Sequence, residues 1–119
     1  MKKQQNQTRR KLPTQNKVSK DKVLSMIGLA VRAGKVVSGE FSTEKAIQTG
    51  KAAVVIVAGD ASDNTKKKFT DKCNFYCIPF HIYGTKESLG HAMGKEERAS
   101  LAIEDISLGQ EILKRLEDC

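Results

Sequence analysis

Cys73, Cys77 and His81 have types and a four-residue spacing that could hold a soft metal ion. Thiolate and imidazole are the ligands that zinc prefers, and side chains four residues apart lie on one face of a helix. However, Pro79 lies between Cys77 and His81 and would interrupt such a helix. A tetrahedral structural site also needs a fourth ligand, which this cluster lacks. We therefore expect no metal site, and we interpret the cysteines as buried side chains.

The two histidines, His81 and His91, are also candidates for acid–base or nucleophilic catalysis. Neither has a serine or cysteine nearby in a recognisable nucleophile arrangement. The sequence has no P-loop, no dinucleotide-binding glycine pattern and no paired-carboxylate motif. We therefore expect a non-catalytic protein without a cofactor. An enzyme, or an accessory substrate-binding domain, would need a catalytic module that this chain lacks.

A lysine run, Lys66 to Lys68, could bind an anion near the start of a predicted helix. Such runs are more often a solvated helix face than a binding site. The position of this run, beside the carboxyl end of a predicted strand, favours binding, because open α/β sheets place ligands there. Both interpretations stay open at this point.

The elements that must position any such site are predicted most clearly between Gly34 and Asp60. Glycines end two helices in this stretch, and an apolar, valine-rich run predicts a strand that is buried on both faces, with Val55 and Ile56 on opposite sides. The predicted order is a strand over 35–37, a turn at Ser38-Gly39, a helix over 40–49 and a strand over 52–58. The free N–H groups at the start of this second helix could bind a phosphate or a base edge.

The rest of the chain continues the alternation of helices and strands, so we predict an α/β protein with helices on both faces of its sheet. A first helix begins near Ser19, with Asp21 in its first turn and an apolar face; a later helix begins after Ser62 and carries Phe69 and Cys73 inward. The remaining predicted elements are a strand over 78–83, a helix from Thr85 to Gly94, a strand over 99–103 and a helix capped by Ser107 with Gln110 that buries Leu108, Ile112 and Leu116.

Charge is concentrated at the N-terminus, where residues 1–17 carry six basic and no acidic side chains of a chain with formal charge +7. We predict a basic disordered tail over 1–17 and a single domain over 18–119, and we expect a polyanionic partner. No apolar run is long enough for a membrane span or a secretory signal, so no membrane partner is expected. Three cysteines are not a disulfide framework, which favours a reducing, cytoplasmic compartment. We expect a monomer.

Short motifs spread over residues 23–103 resemble those of the ribosomal protein seven-Ae / thirty-e family, which binds kink-turn RNA. Within that family, their sequences are most similar to those of the small bacterial YlxQ-type members. The motifs are Ala33-Gly34-Lys35, Gly39, Lys45-Ala46, Gly50-Lys51-Ala52, Ala58-Gly59-Asp60, Ile78-Pro79-Phe80, Leu89-Gly90 and Met93-Gly94. The resemblance implies a three-layer α/β/α sandwich with a small mixed four-stranded sheet. It also implies a structured RNA as partner, with the ribosome as a possible location.

The resemblance further implies where the RNA would bind: at the start of the second helix and on two neighbouring loops. The residues that it places there are Gly39, Glu40, Phe41, Ser42, Lys45, Asp60, Lys95, Glu96 and Arg98.

Two departures from the family pattern bear on specificity. Phe41-Ser42 replaces an Asn-Glu pair that reads the edges of sheared G·A base pairs, and Lys95 to Arg98 replaces an apolar Val-Pro loop. Phe41 could stack on an unpaired base or could pack as an ordinary apolar residue at a helix start. The alternative function is a protein-interaction module that docks a partner through this same patch.

Overall fold

Strands and helices alternate throughout residues 21–118, which are the residues that the computed structural model describes. The predicted tail over 1–17 and the predicted helix start near Ser19 lie outside this range. The elements are α1 (Lys22–Arg32), β1 (Val36–Ser38), α2 (Glu40–Gln48), β2 (Val54–Val57), α3 (Asp63–Tyr76), β3 (Phe80–Ile82), α4 (Lys86–Ala92), β4 (Ser100–Ile103) and α5 (Ile106–Glu117).

The four strands form one mixed sheet in the order β1-β4-β2-β3. Strand β4 runs antiparallel to both β1 and β2, whereas β2 and β3 are parallel. Helix α1 contacts α4 and α5, while α2 contacts α3, so the helices form two groups. The predicted α/β/α sandwich with a mixed four-stranded sheet is therefore confirmed.

The core is centred on the two inner strands, β2 and β4, in which every residue is buried. Val55 and Ile56 are both fully buried, as the continuous apolar run predicts. Successive side chains of a strand point to opposite faces, so burial of both requires a helical layer on each side of the sheet.

Most of the predicted helix ends are present in the structure. Gly34 and Gly50 follow α1 and α2 with φ of 73° and 77°, in the left-handed region that glycine adopts without strain. The Ser62 side chain accepts a hydrogen bond from the backbone N–H of Thr65, and Thr85 forms a capping box with Ser88. These local signals were strong because each satisfies orphan backbone groups within one turn.

Two local predictions were wrong. Helix α5 is capped by the Asp105 carboxylate, which accepts from the N–H of Leu108 at 2.8 Å, rather than by Ser107. The acidic cap is reached first because β4 ends only two residues earlier. At the other end of the chain, Asp21 is the N-cap of α1 and not a residue of its first turn.

The two described cysteines differ in their surroundings, so the expectation of buried cysteines holds for only one of them. Cys73 is buried on α3, and burial raises the pKa of its thiol to about 11. Cys77 is exposed, because it caps α3 in the left-handed conformation (φ 59°) and so leaves the buried face of the helix. Within residues 21–118 no three His, Cys, Asp or Glu side chains are grouped as metal ligands. No helix in this range is long and apolar enough to cross a membrane.

Candidate functional site

Gly39 places the start of α2 at the edge of the sheet. Its φ of 90° is a conformation that other residues adopt only with strain, while a Cβ added there would meet nothing within 4 Å. The glycine is therefore needed for its backbone conformation and leaves open space beside it. As the N-cap residue it offers no side chain to the first N–H groups of the helix. Those groups have no intrahelical acceptors, so they can bind an external one.

One side of α2 is held against α3 by ion pairs. Lys68 Nζ lies 2.6 Å from a Glu40 carboxylate oxygen and 2.9 Å from one of Glu44, and Lys72 Nζ lies 3.2 Å from Glu44. Hydrogen bonds from Lys68 and then Lys72 lower the pKa of Glu44, and the hydrogen bond to Glu40 raises the pKa of Lys68. Glu40 thus faces α3, although the family resemblance placed it among the RNA contacts.

The lysine run Lys66 to Lys68, whose role the sequence did not decide, is largely neutralised by ion pairs with acidic side chains. Lys68 is paired with α2, and Lys67 lies 3.1 Å from Asp71 on its own helix. The run is therefore divided between a helix–helix contact and a solvated face. A sequence pattern could not show this, because Glu40 and Lys68 are 28 residues apart.

The adjacent side of α2, about 100° further round the helix, carries Phe41 and Lys45, which are one helical turn apart. Phe41 is 77% exposed, so its interpretation as a packed residue at a helix start is wrong. Lys45 is exposed as well. Both side chains line an open groove of about 320 Å³ beside β1, with Val37, Ser42, Ala46, Thr49, Lys51 and Glu104 as the other lining residues.

A chain of hydrogen bonds joins the two predicted loops to the start of α2. Asp60 Oδ1 accepts from the backbone N–H of Lys86 at 2.8 Å, and the Lys86 carbonyl accepts from the N–H of Arg98 at 3.0 Å. Arg98 Nε then donates to Ser38 Oγ at 3.1 Å, directly before Gly39. Residues that are far apart in sequence are thereby fixed at one edge of the sheet. We call this edge, formed by 38–42, Lys45, Asp60 and 95–98, the loop edge.

Gly90 determines how closely the last of these loops approaches α4. A Cβ added to Gly90 would lie 1.9 Å from the backbone oxygen of Glu96 and 2.6 Å from its carbonyl carbon. The backbone N–H of Lys95 also donates to the Gly90 carbonyl at 2.8 Å. Gly90 and Ser38 were not among the predicted site residues. A glycine inside a helical pattern is the signal that could have identified Gly90, because it marks a close backbone approach.

The charges of the loop edge are mixed. Lys95 lines a shallow depression of about 540 Å³ together with Glu87, His91, Glu96 and Glu97. Carboxylates in this position repel phosphate but can accept from the amino groups of bases. Arg98 makes no ion pair with any carboxylate in the described range, since its donors reach Ser38 and the Glu97 carbonyl.

The fold and the loop edge together define a class of small α/β/α domains that present a helix start and two loops on one side. The chain belongs to the ribosomal protein L7Ae/L30e/S12e/Gadd45 family, whose model matches residues 21–112. This match confirms the resemblance in the short motifs.

Individual relatives agree with this assignment. The chain is 41% identical over 92 residues to the RNA-binding protein YlxQ of Bacillus subtilis, an alignment that covers 77% of this chain and 92% of the relative. A solved structure of a Bacillus halodurans protein has a TM-score of 0.79 at 38% identity, covering 81% of this chain and 97% of that one. The Giardia lamblia 15.5kD RNA binding protein shares the fold, with a TM-score of 0.70 at 22% identity over 81% of this chain and 85% of that one.

Proposed function

We propose that this protein is a non-catalytic RNA-binding protein that binds a structured RNA, ribosomal or other, through its loop edge. The observation that carries this proposal is the hydrogen-bonded chain from Asp60 through Lys86 and Arg98 to Ser38, which holds four separate segments together. The names of the relatives described above give independent support. The alternative function, docking of a protein partner at this surface, has no comparable support.

The residues of the loop edge divide into contacts and positioning residues. Lys45 and Lys95 are exposed and unpaired within residues 21–118, so each can contact a phosphate. The N–H groups after Gly39 can bind a phosphate or a base edge. Asp60 and Arg98 hold the loops in place, because Asp60 Oδ1 and Arg98 Nε already have partners within the protein.

Specificity for a simple kink-turn should be poor. A phenyl ring neither donates nor accepts hydrogen bonds, and the Ser42 hydroxyl is too short to replace a carboxylate that reads a G·A edge. The exchange of both residues for the family pair, Phe41→Asn with Ser42→Glu, should therefore raise affinity for a kink-turn duplex. Each correctly placed bidentate base contact contributes about 1–3 kcal/mol of discrimination.

The proposal can be tested by titrating the full chain against a kink-turn duplex and an unkinked duplex of equal composition at several salt concentrations. Lys45→Ala should lower affinity and reduce the slope of log K against log salt by about 1, since one phosphate contact is lost. Lys114→Ala is the matched control, because Lys114 is an exposed lysine on α5. Melting curves show whether each variant stays folded.

The proposal would be refuted if Lys45→Ala cost no affinity and the Phe41→Asn, Ser42→Glu variant gained none while both remained folded. Crosslinking in cells followed by RNA sequencing would then identify the natural RNA, or show that none is bound.

A further inference from the structure

The groove lined by Phe41 and Lys45 runs from the loop edge along α2, beside the edge strand β1. It lies between α2 and β1, and β1 is an edge strand that pairs only with β4 in the described sheet. Phe41 and Lys45 line the groove near the loop edge, about 6 Å apart along the helix axis. Lys51 and Glu104 line it after the end of α2 and of β4, respectively.

The groove carries uncompensated positive charge. Neither Lys45 nor Lys51 forms an ion pair with a carboxylate in residues 21–118, whereas Lys67, Lys68 and Lys72 all do. Glu104 supplies the single carboxylate among the residues that line the groove. An anionic occupant is therefore favoured over a cationic one, which argues against the chain's own basic N-terminal segment.

The exposed ring of Phe41 indicates that the anionic occupant also has a flat aromatic group. A free phenyl face flanked by lysines can stack on a nucleobase while the ammonium groups contact the adjoining phosphates. The Glu104 carboxylate would repel a phosphate but could accept a hydrogen bond from the amino group of a base. An aromatic ring, two cations and one acceptor match the parts of an unpaired nucleotide strand.

We propose that the groove binds an unpaired stretch of the RNA strand, with the Phe41 ring stacked on a base and Lys45 and Lys51 on its phosphates. This inference rests on the proposed function, because the strand would continue from the RNA bound at the loop edge. Phe41 and Lys45 belong to both surfaces, so the two are continuous. Lys51 belongs to the groove alone. Its substitution therefore tests single-strand binding in the groove independently of RNA binding at the loop edge.

The test uses two probes with the full-length chain: a blunt-ended duplex with a kinked internal loop, and a seven-nucleotide single-stranded RNA with a central 2-aminopurine. Stacking of this base on an aromatic ring in place of its neighbouring bases changes its fluorescence, and this change reports the contact. Phe41→Leu keeps an apolar side chain but removes the aromatic face. Phe75→Leu is its matched control, since Phe75 is 79% exposed on α3 and lies outside the groove.

For the single strand we expect Phe41→Leu to abolish the fluorescence change on binding and to weaken binding by about five-fold or more, while Phe75→Leu alters neither. Lys51→Gln should weaken single-strand binding several-fold and reduce the salt slope by about 0.7, the value for one phosphate contact on a single strand. The same variant should leave affinity for the blunt duplex unchanged. Lys114→Gln should alter binding to neither probe.

Two results would overturn the inference in distinguishable ways. If Phe41→Leu and Lys51→Gln bind the single strand with the affinity and the fluorescence change of the wild type while the duplex still binds, the groove is not an RNA subsite. The proposed function would then stand without this subsite. If the wild-type chain binds neither probe, the proposed function fails and this inference fails with it.

Discussion

Replacing Gly90 with alanine should displace the loop that carries Lys95 and Arg98. The added Cβ would lie 1.9 Å from the Glu96 oxygen, whereas ordinary contacts begin at 3.4 Å, so the loop must move by about 1.5 Å. The opposing atoms belong to the backbone and cannot rotate away. A shift of this size would break or lengthen the 2.8 Å hydrogen bond from the Lys95 N–H to the Gly90 carbonyl.

The magnitude of the effect on stability follows from two opposing contributions. Overpacking of a buried position costs about 1–3 kcal/mol. Alanine in place of glycine inside a helix returns about 0.5–1 kcal/mol. Because the clash is with backbone atoms, the cost falls at the upper end of its range; the net loss is then about 2–2.5 kcal/mol, which lowers the melting temperature of a domain of this size by about 8–20 °C. RNA affinity should also fall, by about ten-fold at a temperature where the variant is folded, because one displaced loop loses its phosphate contacts.

Thermal unfolding followed by circular dichroism, together with RNA titration, checks both parts of this prediction. Gly28→Ala is the control, since its Cβ would lie 3.3 Å from the nearest atom, the Ala92 oxygen, and its melting temperature should change by only a few degrees. The reasoning is refuted if Gly90→Ala melts like the wild type and binds RNA equally well. That result would mean that the loop does not rest on α4.

Three further predictions concern the core, the helix contact and the tail. Val55→Ala and Ile56→Ala should each destabilise the protein by about 2–4 kcal/mol in urea unfolding, because both side chains are fully buried; near-neutral values would contradict the central position of β2. The pKa of Glu44 is lowered in the folded state by Lys68, so its stabilising contribution is present above the unfolded pKa and is lost as the pH falls through the acidic range. The free energy of unfolding of Glu44→Gln, measured by urea titration, should therefore fall less than that of the wild type between about pH 6 and pH 3. Identical pH profiles would show that the Glu44 ion pairs do not contribute to stability. Removal of residues 1–16 should leave the melting temperature nearly unchanged while weakening binding to all RNAs alike, and a loss confined to one RNA would argue for specific contacts.

Local patterns in the sequence determined most of the secondary structure. Glycines with positive φ end the helices at Gly34 and Gly50, and the apolar run that contains β2 is buried throughout. These signals are reliable because each depends on backbone conformation or burial within a few neighbouring residues. The α/β class follows from them, and the short motifs pointed to the family.

Only the tertiary structure decided which polar side chains face the solvent and which face each other. Lys68 could have been a phosphate ligand, but it pairs with Glu40 across 28 residues of sequence, and Arg98 reaches Ser38 across 60. Phe41 could have been packed, yet its ring is 77% exposed. Such outcomes depend on how helices and loops from distant segments come together, because a side chain's partners in space are set by packing and not by its neighbours in the chain.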